Sequence, residues 1–331
     1  MGVKTGVKRL GFFALGAAAT LGASMLTVSA PAWAAEKSVA ITQIVEHPAL
    51  DAVRKGVRDV LAEAGLVAGE NLKWSFESAQ GNGATAAQIA KKFAGDAPDV
   101  IVAIATPSAQ TVVANTKTIP VVFSAVTDPI GAKLVSNFER PGGNVTGVTD
   151  MTPIAAHMAL VKRVVPSARR LGVISNPGEA NSVSLVALIN AEAPKLGMSV
   201  VVAAATKSGE VLAAARSLVG KVDVIYVPTD NTVISAFEAV VKVGNDAKIP
   251  VLAGDTDSVK RGAVAAAGFN YYDIGRQTGI MVMKVLNGAN PGDLAVQGVA
   301  KTDLYLNMKS ARAQGVTFTD DLIGEAKEII R

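Results

Sequence analysis

The chain has 331 residues, half of them apolar and 18% charged, a balance typical of a folded globular protein of about two domains. It contains no cysteine, which excludes disulfides, thiolate metal sites and cysteine nucleophiles, and its two histidines, His47 and His157, are too few for a histidine-rich metal centre. The net charge is +4, and no basic run interleaved with aromatic residues indicates binding to nucleic acid.

Residues 1–34 are predicted to be a secretory signal peptide. Basic residues precede an uncharged, Ala- and Gly-rich run over 10–26, and Ala-Trp-Ala at 32–34 has the small-x-small pattern of a cleavage site. A retained membrane anchor is the alternative, although the run is at the short end for a transmembrane helix. We therefore expect cleavage near Ala34 and a mature periplasmic chain, with no cysteine to carry a lipid.

Along the mature chain, short β-branched runs alternate with segments of helical period, which predicts βα units and parallel sheets. In the first half, strands are predicted at 39–44, 71–78, 99–105 and 119–124, and helices at 49–65, 84–94 and 108–117. The glycine-rich segment at 141–147 is interpreted as a turn before a crossover. In the second half, strands are predicted at 171–175, 199–205, 223–227 and 249–253, and helices at 182–196, 210–219 and 233–245.

The two halves resemble each other. Asp-Val-Ile occurs at 99–101 and again at 223–225, and Ile-Pro-Val occurs at 119–121 and again at 249–251, so the units recur in one order. This pattern predicts an α/β protein of two Rossmann-like, doubly wound parallel-sheet lobes joined by a hinge; two unrelated doubly wound domains are the alternative. The predicted lobes are 36–147 with 270–296, and 148–269 with 297–331.

The loops that leave the predicted strands are polar, and they indicate where a ligand binds. Ligands of open parallel sheets bind beyond the carboxyl ends of the strands, and small-molecule sites favour domain interfaces. We therefore expect a site in the cleft between the lobes. The candidate ligand-binding residues are Glu46, His47, Thr106, Ser108, Gln110, Thr127, Asp128, Asn176, Asn181, Ser182, Thr229, Asp230, Asn231 and Asp255.

Several of these residues have a structural alternative. Thr106 and Ser108 place hydroxyls at a helix start, where free N–H groups suit a carboxylate, but Thr106 alone is equally typical of an N-cap. Asp128 and Asp255 end matching strands, so either is a candidate partner for a ligand ammonium, and both also suit turns. Beside the second crossover, one of Phe269, Tyr271 and Tyr272 is a candidate to stack on a ligand.

The sequence contains few of the residues and motifs that are typical of catalytic sites. It has no Gly-x-Ser-x-Gly elbow and no phosphate-binding glycine motif, and nothing in it indicates a metal or a cofactor. Glu46 with His47 is the one tempting acid–base pair, so a periplasmic enzyme remains an alternative. We predict no covalent chemistry.

Four segments together resemble the ABC-transporter substrate-binding family that includes tryptophan- and tyrosine-type receptors. They are ITQIVEHPALD at 41–51, ATPSAQ at 105–110, IPVVFSAVTDP at 119–129 and GFNYYDIGRQ at 268–277. The resemblance covers essentially the whole mature chain. It implies a type I periplasmic binding protein with two lobes, three crossovers and closure on a small ligand.

The resemblance also implies roles and partners. It places Thr106, Ser108, Gln110 and Asp128 against the carboxylate and amine of an amino-acid-like ligand, aromatic or branched, while the second-lobe loops close over it. The implied partner is an ABC permease in the inner membrane that reads the closed form. A sensor for a signalling partner, or a receptor for a nucleoside or sugar, stays open as an alternative.

Overall fold

The structure is a computed structural model that describes Gly2 and residues 36–299 and 302–331. The predicted signal peptide, apart from Gly2, lies outside the described residues. Residues 36–331 form one compact unit. Within the described part of the chain, we find no helix with the length and apolarity needed to cross a membrane.

The first sheet has five strands, all parallel, in the order β2-β1-β3-β4-β5. The strands are β1 (Lys37–Gln43), β2 (Leu72–Ser78), β3 (Val100–Ile104), β4 (Val121–Val126) and β5 (Val145–Thr149). Strands β3, β4 and β5 are buried along their whole length, as expected for parallel strands covered by helices on both faces.

The second sheet has seven strands in the order β12-β11-β10-β9-β8-β6-β7, and only the β10–β11 pair is antiparallel. The strands are β6 (Arg170–Ser175), β7 (Ser199–Ala204), β8 (Val224–Val227), β9 (Val251–Ala253), β10 (Ala265–Gly268), β11 (Asp303–Asn307) and β12 (Glu328–Ile330). Separate apolar cores cover the two faces of this sheet.

Twelve α-helices connect and cover the strands of the described chain. They are α1 (Pro48–Glu63), α2 (Gly83–Asp96), α3 (Thr106–Asn115), α4 (Ile154–Val164), α5 (Ala180–Glu192), α6 (Val211–Ser217), α7 (Asn231–Ser235), α8 (Phe237–Ala247), α9 (Asp257–Lys260), α10 (Tyr271–Leu286), α11 (Met308–Gln314) and α12 (Asp320–Glu325). Short 3₁₀ turns occur at Ala193–Leu196, Ser208–Glu210 and Pro291–Asp293.

The chain passes between the two sheets three times. It leaves the first sheet after β5, returns between β10 and α10, and leaves again before β11. Helix α10 contributes Ile274 and Val282 to the first core, and Gln297 bridges to Val148 of β5. These crossovers are the hinge candidates, and they bring polar side chains from both sheets together.

The two-lobed α/β fold predicted from the sequence is confirmed, with the strands in the predicted order. The predicted helix at 233–245 is two helices, because the chain breaks at Ala236. The interpretation of 141–147 as a turn is wrong from Val145 onward. That segment is β5, whose Gly147 allows close approach, since a Cβ there would lie 2.2 Å from the Phe123 carbonyl oxygen.

The predicted lobe boundaries, 36–147 with 270–296 and 148–269 with 297–331, stay a prediction. The first sheet itself extends to Thr149, and α10 begins at Tyr271.

Glycines let helices α1 and α10 pack with their backbones in close contact. A Cβ on Gly275 would lie 2.1 Å from the Val53 carbonyl oxygen, and a Cβ on Gly56 would lie 2.4 Å from the Tyr272 carbonyl oxygen. Both obstacles are backbone atoms, so a side chain at either position would force the helices apart.

We expect Gly275→Ala to lower the free energy of unfolding by about 1–3 kcal/mol, because the added methyl overpacks this contact. Urea denaturation measures the change. The matched control is Gly95→Ala in α2, where a Cβ meets nothing within 4 Å and alanine should be neutral or stabilising by up to about 1 kcal/mol. Equal stabilities for the two variants would contradict the packing argument.

Candidate functional site

A small cavity lies where the carboxyl ends of the two sheets face each other, and the space between its lining residues, part of which is open to solvent, is about 340 Å³. Both sheets and the crossovers contribute to its wall. The lining residues are His47, Ala49, Leu50, Thr106, Ala125, Thr127, Asp150, Asn181, Thr229, Asp230, Asn231, Ile234, Asp255 and Tyr271. All of them except Thr229 are buried.

Two helix N-termini form the wall from the first sheet. Helix α1 presents Ala49 and Leu50 after Pro48, and helix α3 presents Thr106. The first N–H groups of a helix have no intrahelical acceptor, and the helix dipole adds partial positive charge there. This wall is therefore suited to a negatively charged group.

The backbone is strained where it enters this wall. Ala105, between β3 and α3, has φ of 72°, and Ala125, at a register shift within β4, has φ of 52°. Alanine adopts such values at an energetic cost, and strain of this kind concentrates at functional sites. Ala125 itself lines the cavity.

Four buried polar atoms at or beside the cavity have no hydrogen-bond partner within the described chain: Thr106 Oγ1, Ser108 Oγ, His47 Nδ1 and Asn181 Oδ1. Buried polar groups are nearly always paired, because an unpaired group costs about 1–3 kcal/mol. Their concentration here indicates groups that bond to a ligand.

Asp150 lies on the cavity wall at the first crossover. Its Oδ1 accepts a hydrogen bond from Thr127 Oγ1 at 2.8 Å, and its Oδ2 accepts one from Tyr271 Oη at 2.8 Å. Burial raises the pKa of Asp150. The two hydroxyls fix the orientation of the carboxylate. Because each carboxylate oxygen has a further lone pair, the group can still accept hydrogen bonds from a ligand.

Asp230 is the central carboxylate of the second-sheet wall. It accepts hydrogen bonds from Asn176 N at 2.5 Å, from Ser182 Oγ at 2.6 Å and from Val233 N at 2.9 Å. Burial, together with the nearby charge of Glu179, raises the pKa of Asp230 well above its usual range. Asp255 lies on the same wall, and burial raises its pKa too.

Glu179 orients two amides beside these carboxylates. It accepts hydrogen bonds from Asn231 Nδ2 at 2.6 Å and from Asn181 Nδ2 at 3.2 Å. Asn181 Nδ2 also donates to the Thr229 carbonyl at 3.0 Å. With its nitrogen held in this way, Asn181 presents Oδ1, an acceptor, as its remaining polar atom.

The structure brings together eight of the residues that the sequence singled out. His47, Thr106, Thr127, Asn181, Thr229, Asp230, Asn231 and Asp255 all line the cavity. Ser182 lies behind the wall, bonded to Asp230, and Asn176 lines a wider adjoining groove of about 1300 Å³ that shares Asn231 with the cavity. Ser108 is buried one position beyond Pro107 in α3.

The other three candidates, like Ser108, Asn176 and Ser182, do not line the cavity. Glu46 is exposed, and its Oε1 accepts a hydrogen bond from Gln80 Nε2 at 2.9 Å. Gln110 Nε2 donates to the Ala132 carbonyl at 3.2 Å on the first-sheet side. Asp128 accepts hydrogen bonds from Gly131 N and Ser184 Oγ, so its carboxylate is directed at helix α5 of the second lobe.

Sequence reasoning missed Asp150 and did not commit to Tyr271. Asp150 follows β5, and a strand recognised there would have placed it with the other carboxyl-end residues. Tyr271 was one of three aromatic candidates near the second crossover. The apolar lining residues carry no sequence signal that separates them from the core: Ala49, Leu50, Ala125 and Ile234.

Glu46 and His47, the candidate acid–base pair, are not arranged to act together. His47 is buried on the cavity wall, and Glu46 beside it is exposed and bonded to Gln80. In the described part of the chain, no three His, Asp or Glu side chains are grouped to hold a metal ion.

Comparison with known proteins gives two close relatives in sequence and structure. A tyrosine-binding protein of Clostridioides difficile is 42% identical over 278 residues, 84% of this chain and 81% of the relative. A structure from Streptococcus pneumoniae, described as an ABC domain in complex with L-Trp, is 35% identical, covers 89% of this chain and 100% of that one, and superposes with a TM-score of 0.86.

A third relative indicates the state of the cleft. The ligand-free, open structure of a substrate-binding protein from Clostridium difficile is 41% identical, and the match covers 89% of this chain and 99% of that one, yet its TM-score is 0.66. Since the identity is higher than for the L-Trp complex and the structural match is poorer, the lobes here are arranged more nearly as in the L-Trp complex than as in the open structure.

The family model described as ABC transporter substrate binding protein matches residues 38–330, nearly all of the described chain. Two parallel-sheet lobes with three crossovers and a cleft between them are the type I periplasmic binding protein fold. The chain belongs to the ABC transporter substrate-binding protein family.

Proposed function

We propose that this protein is the periplasmic receptor of an ABC importer and that it binds an aromatic amino acid, tyrosine or tryptophan, in the cavity between its lobes. The observation that carries the proposal is the polarity of that cavity. One wall is made of helix N-termini and hydroxyls, and the other presents carboxylates and an amide oxygen. The relatives named for tyrosine and for L-Trp support the ligand class.

The charges around the cavity suit a zwitterion. Asp150, Asp230 and Asp255 line it, and no Lys or Arg does within the described residues. The ligand carboxylate rests against the N-termini of α1 and α3, where Thr106 supplies an unpaired hydroxyl. The ligand ammonium binds Asp150, whose two hydroxyl partners leave lone pairs for it.

The neutral state of His47 fits this arrangement. Burial, and secondarily the charge of Arg261, lowers the pKa of His47 to about 3, so the imidazole carries no charge at neutral pH. It therefore adds a hydrogen-bonding group without adding a second cation that competes with the ligand ammonium.

An aromatic side chain matches the remaining surface. Leu50, Ala125, Ile234 and Tyr271 form the apolar lining. The Phe269 ring packs on the Tyr271 ring, with 5.5 Å between the ring centroids. Aromatic rings gain from edge and offset contacts of this kind. Asn181 Oδ1 supplies an acceptor for a phenol O–H or an indole N–H.

The mechanism we propose is closure about the crossovers. The open lobes exchange with a closed form, and the ligand binds both walls, so it stabilises the closed form. Members of the family are solute receptors that work with an ABC permease. We propose that the closed form of this chain is what its permease recognises and that it carries out no covalent chemistry.

Asp150→Asn should weaken binding of L-tyrosine or L-tryptophan by about 30- to 1000-fold, because a neutral amide replaces the buried partner of the ammonium. Isothermal titration calorimetry measures the dissociation constants. 3-(4-Hydroxyphenyl)propionate, which lacks the ammonium, should bind weakly to both proteins. Asp246→Asn is the matched control, since Asp246 lies on the surface with Lys242. Wild-type protein that binds neither amino acid overturns the proposed function.

A second prediction concerns pH. Because the pKa of His47 is about 3 in the folded protein and about 6.5 when unfolded, only the unfolded chain takes up a proton between these values. The stability of the wild type relative to His47→Gln should therefore fall by about 1.4 kcal/mol per pH unit from about pH 6 to about pH 4. Urea denaturation across pH tests this. A difference that stays constant from pH 8 to pH 4 would show that His47 is not held neutral.

Export is testable separately. We propose that residues 1–34 are removed on secretion, so the protein recovered from the periplasm should begin at Ala35 in N-terminal mass spectrometry. Replacing Ala32 and Ala34 with bulky residues should leave the precursor uncut. Recovery of the wild-type chain from the cytoplasm with its first 34 residues intact would contradict this assignment.

A further inference from the structure

A hydrogen bond outside the cavity joins the two lobes. Ser184 Oγ, on helix α5 of the second lobe, donates to Asp128 Oδ2, in the loop after β4 of the first lobe, at 2.9 Å. Neither residue lines the cavity, and both are half-buried.

The loop after β4 holds the Asp128 carboxylate in place for this bond. Gly131 N donates to Asp128 Oδ1 at 2.8 Å. A Cβ on Gly131 would lie 2.2 Å from Asp128 Oδ2, so glycine is the residue that admits the carboxylate at this position. One oxygen is fixed by the loop, and the other is left for Ser184.

The surroundings place this bond at the closing surface. Ala180, one turn before Ser184 in α5, packs against the apolar core of the first lobe. The first lobe therefore meets this end of α5 through both an apolar and a polar contact. When the lobes separate, both contacts are lost and the Asp128 carboxylate returns to solvent.

We propose that Asp128 and Ser184 form a latch that determines how much of the receptor is closed, and so determines ligand affinity without touching the ligand. The affinity readout of this proposal rests on the proposed function. The apparent dissociation constant of a receptor is its intrinsic value divided by the fraction of competent, closed protein. An interaction that exists only in the closed form therefore tightens binding and slows ligand release.

The test is Ser184→Ala, which removes the hydroxyl and keeps a good helix-forming residue. The dissociation constant for L-tyrosine or L-tryptophan, whichever the wild type binds, should rise about 10-fold, mainly through faster dissociation. The melting temperature without ligand should be unchanged. Ser217→Ala is the matched control, because Ser217 bonds within its own helix, to Ala214 O at 2.7 Å.

A double-mutant cycle separates the latch from a direct role of Asp128 in ligand binding. If the two residues act as a pair, Ser184→Ala has no further effect in an Asp128→Ala background. An effect of Ser184→Ala that persists in that background overturns the latch. So does unchanged affinity in the single Ser184→Ala variant.

A second measurement does not depend on the ligand. Because the chain contains no cysteine, spin labels attach only at introduced sites, for which exposed Lys91 and Lys221 provide one position in each lobe. In the doubly labelled protein without ligand, Ser184→Ala should lower the closed fraction in the distance distribution. If the wild type binds neither amino acid, the proposed function fails, and identical distance distributions for the wild type and the variant overturn the latch on their own.

Discussion

The arrangement of sheets, crossovers and cavity depends on the hydrogen bonds of the buried Asp150 carboxylate. Asp150 follows β5 at the first crossover. Its carboxylate accepts one hydrogen bond from Thr127 at the end of β4 and another from Tyr271 at the second crossover. One residue earlier, Thr149 N donates to the Gln297 carbonyl at the third crossover. A buried carboxylate must be satisfied, so these bonds hold the three crossovers in one register. Any group that binds Asp150 from the cavity is therefore linked directly to the crossovers.

The polar groups of the second-lobe wall lower the stability of the folded protein. Asp230 and Glu179 lie close together within the fold, and the charge of Glu179 adds to burial in raising the pKa of Asp230. Serine, amide and backbone donors compensate part of this repulsion and also fix each acceptor in position. An apolar core of the same shape would be more stable and unable to bind a polar solute. The polar lining is thus ordered before a ligand arrives, which reduces the entropy lost on binding.

Much of this architecture was predictable from sequence because parallel strands impose a simple pattern. Fully buried β-branched runs mark the strands, and the residues that follow them meet at one edge, which is why Thr106, Asp230 and Asp255 all line the cavity. Asp150 was missed because the glycine-rich edge strand that precedes it has the local sequence of a turn. Glycine is needed at position 147 because the backbone there lies close to β4. The direction of the Asp128 side chain depends on a loop glycine and on a helix from the other lobe. Local pattern contains neither piece of information.

The position of Asp128 bears on how receptors of this shape are tuned. A carboxylate inside the cavity changes affinity and specificity together, since it contacts the ligand. A carboxylate outside the cavity that bonds to Ser184 changes only the balance between open and closed forms, so the affinity for every ligand rises by the same factor. Substitutions outside the cavity can then adjust affinity to the solute concentration outside the cell while the cavity keeps its selectivity. The two functions are separable here because the ligand contacts and the latch lie on different residues of the same closing surface.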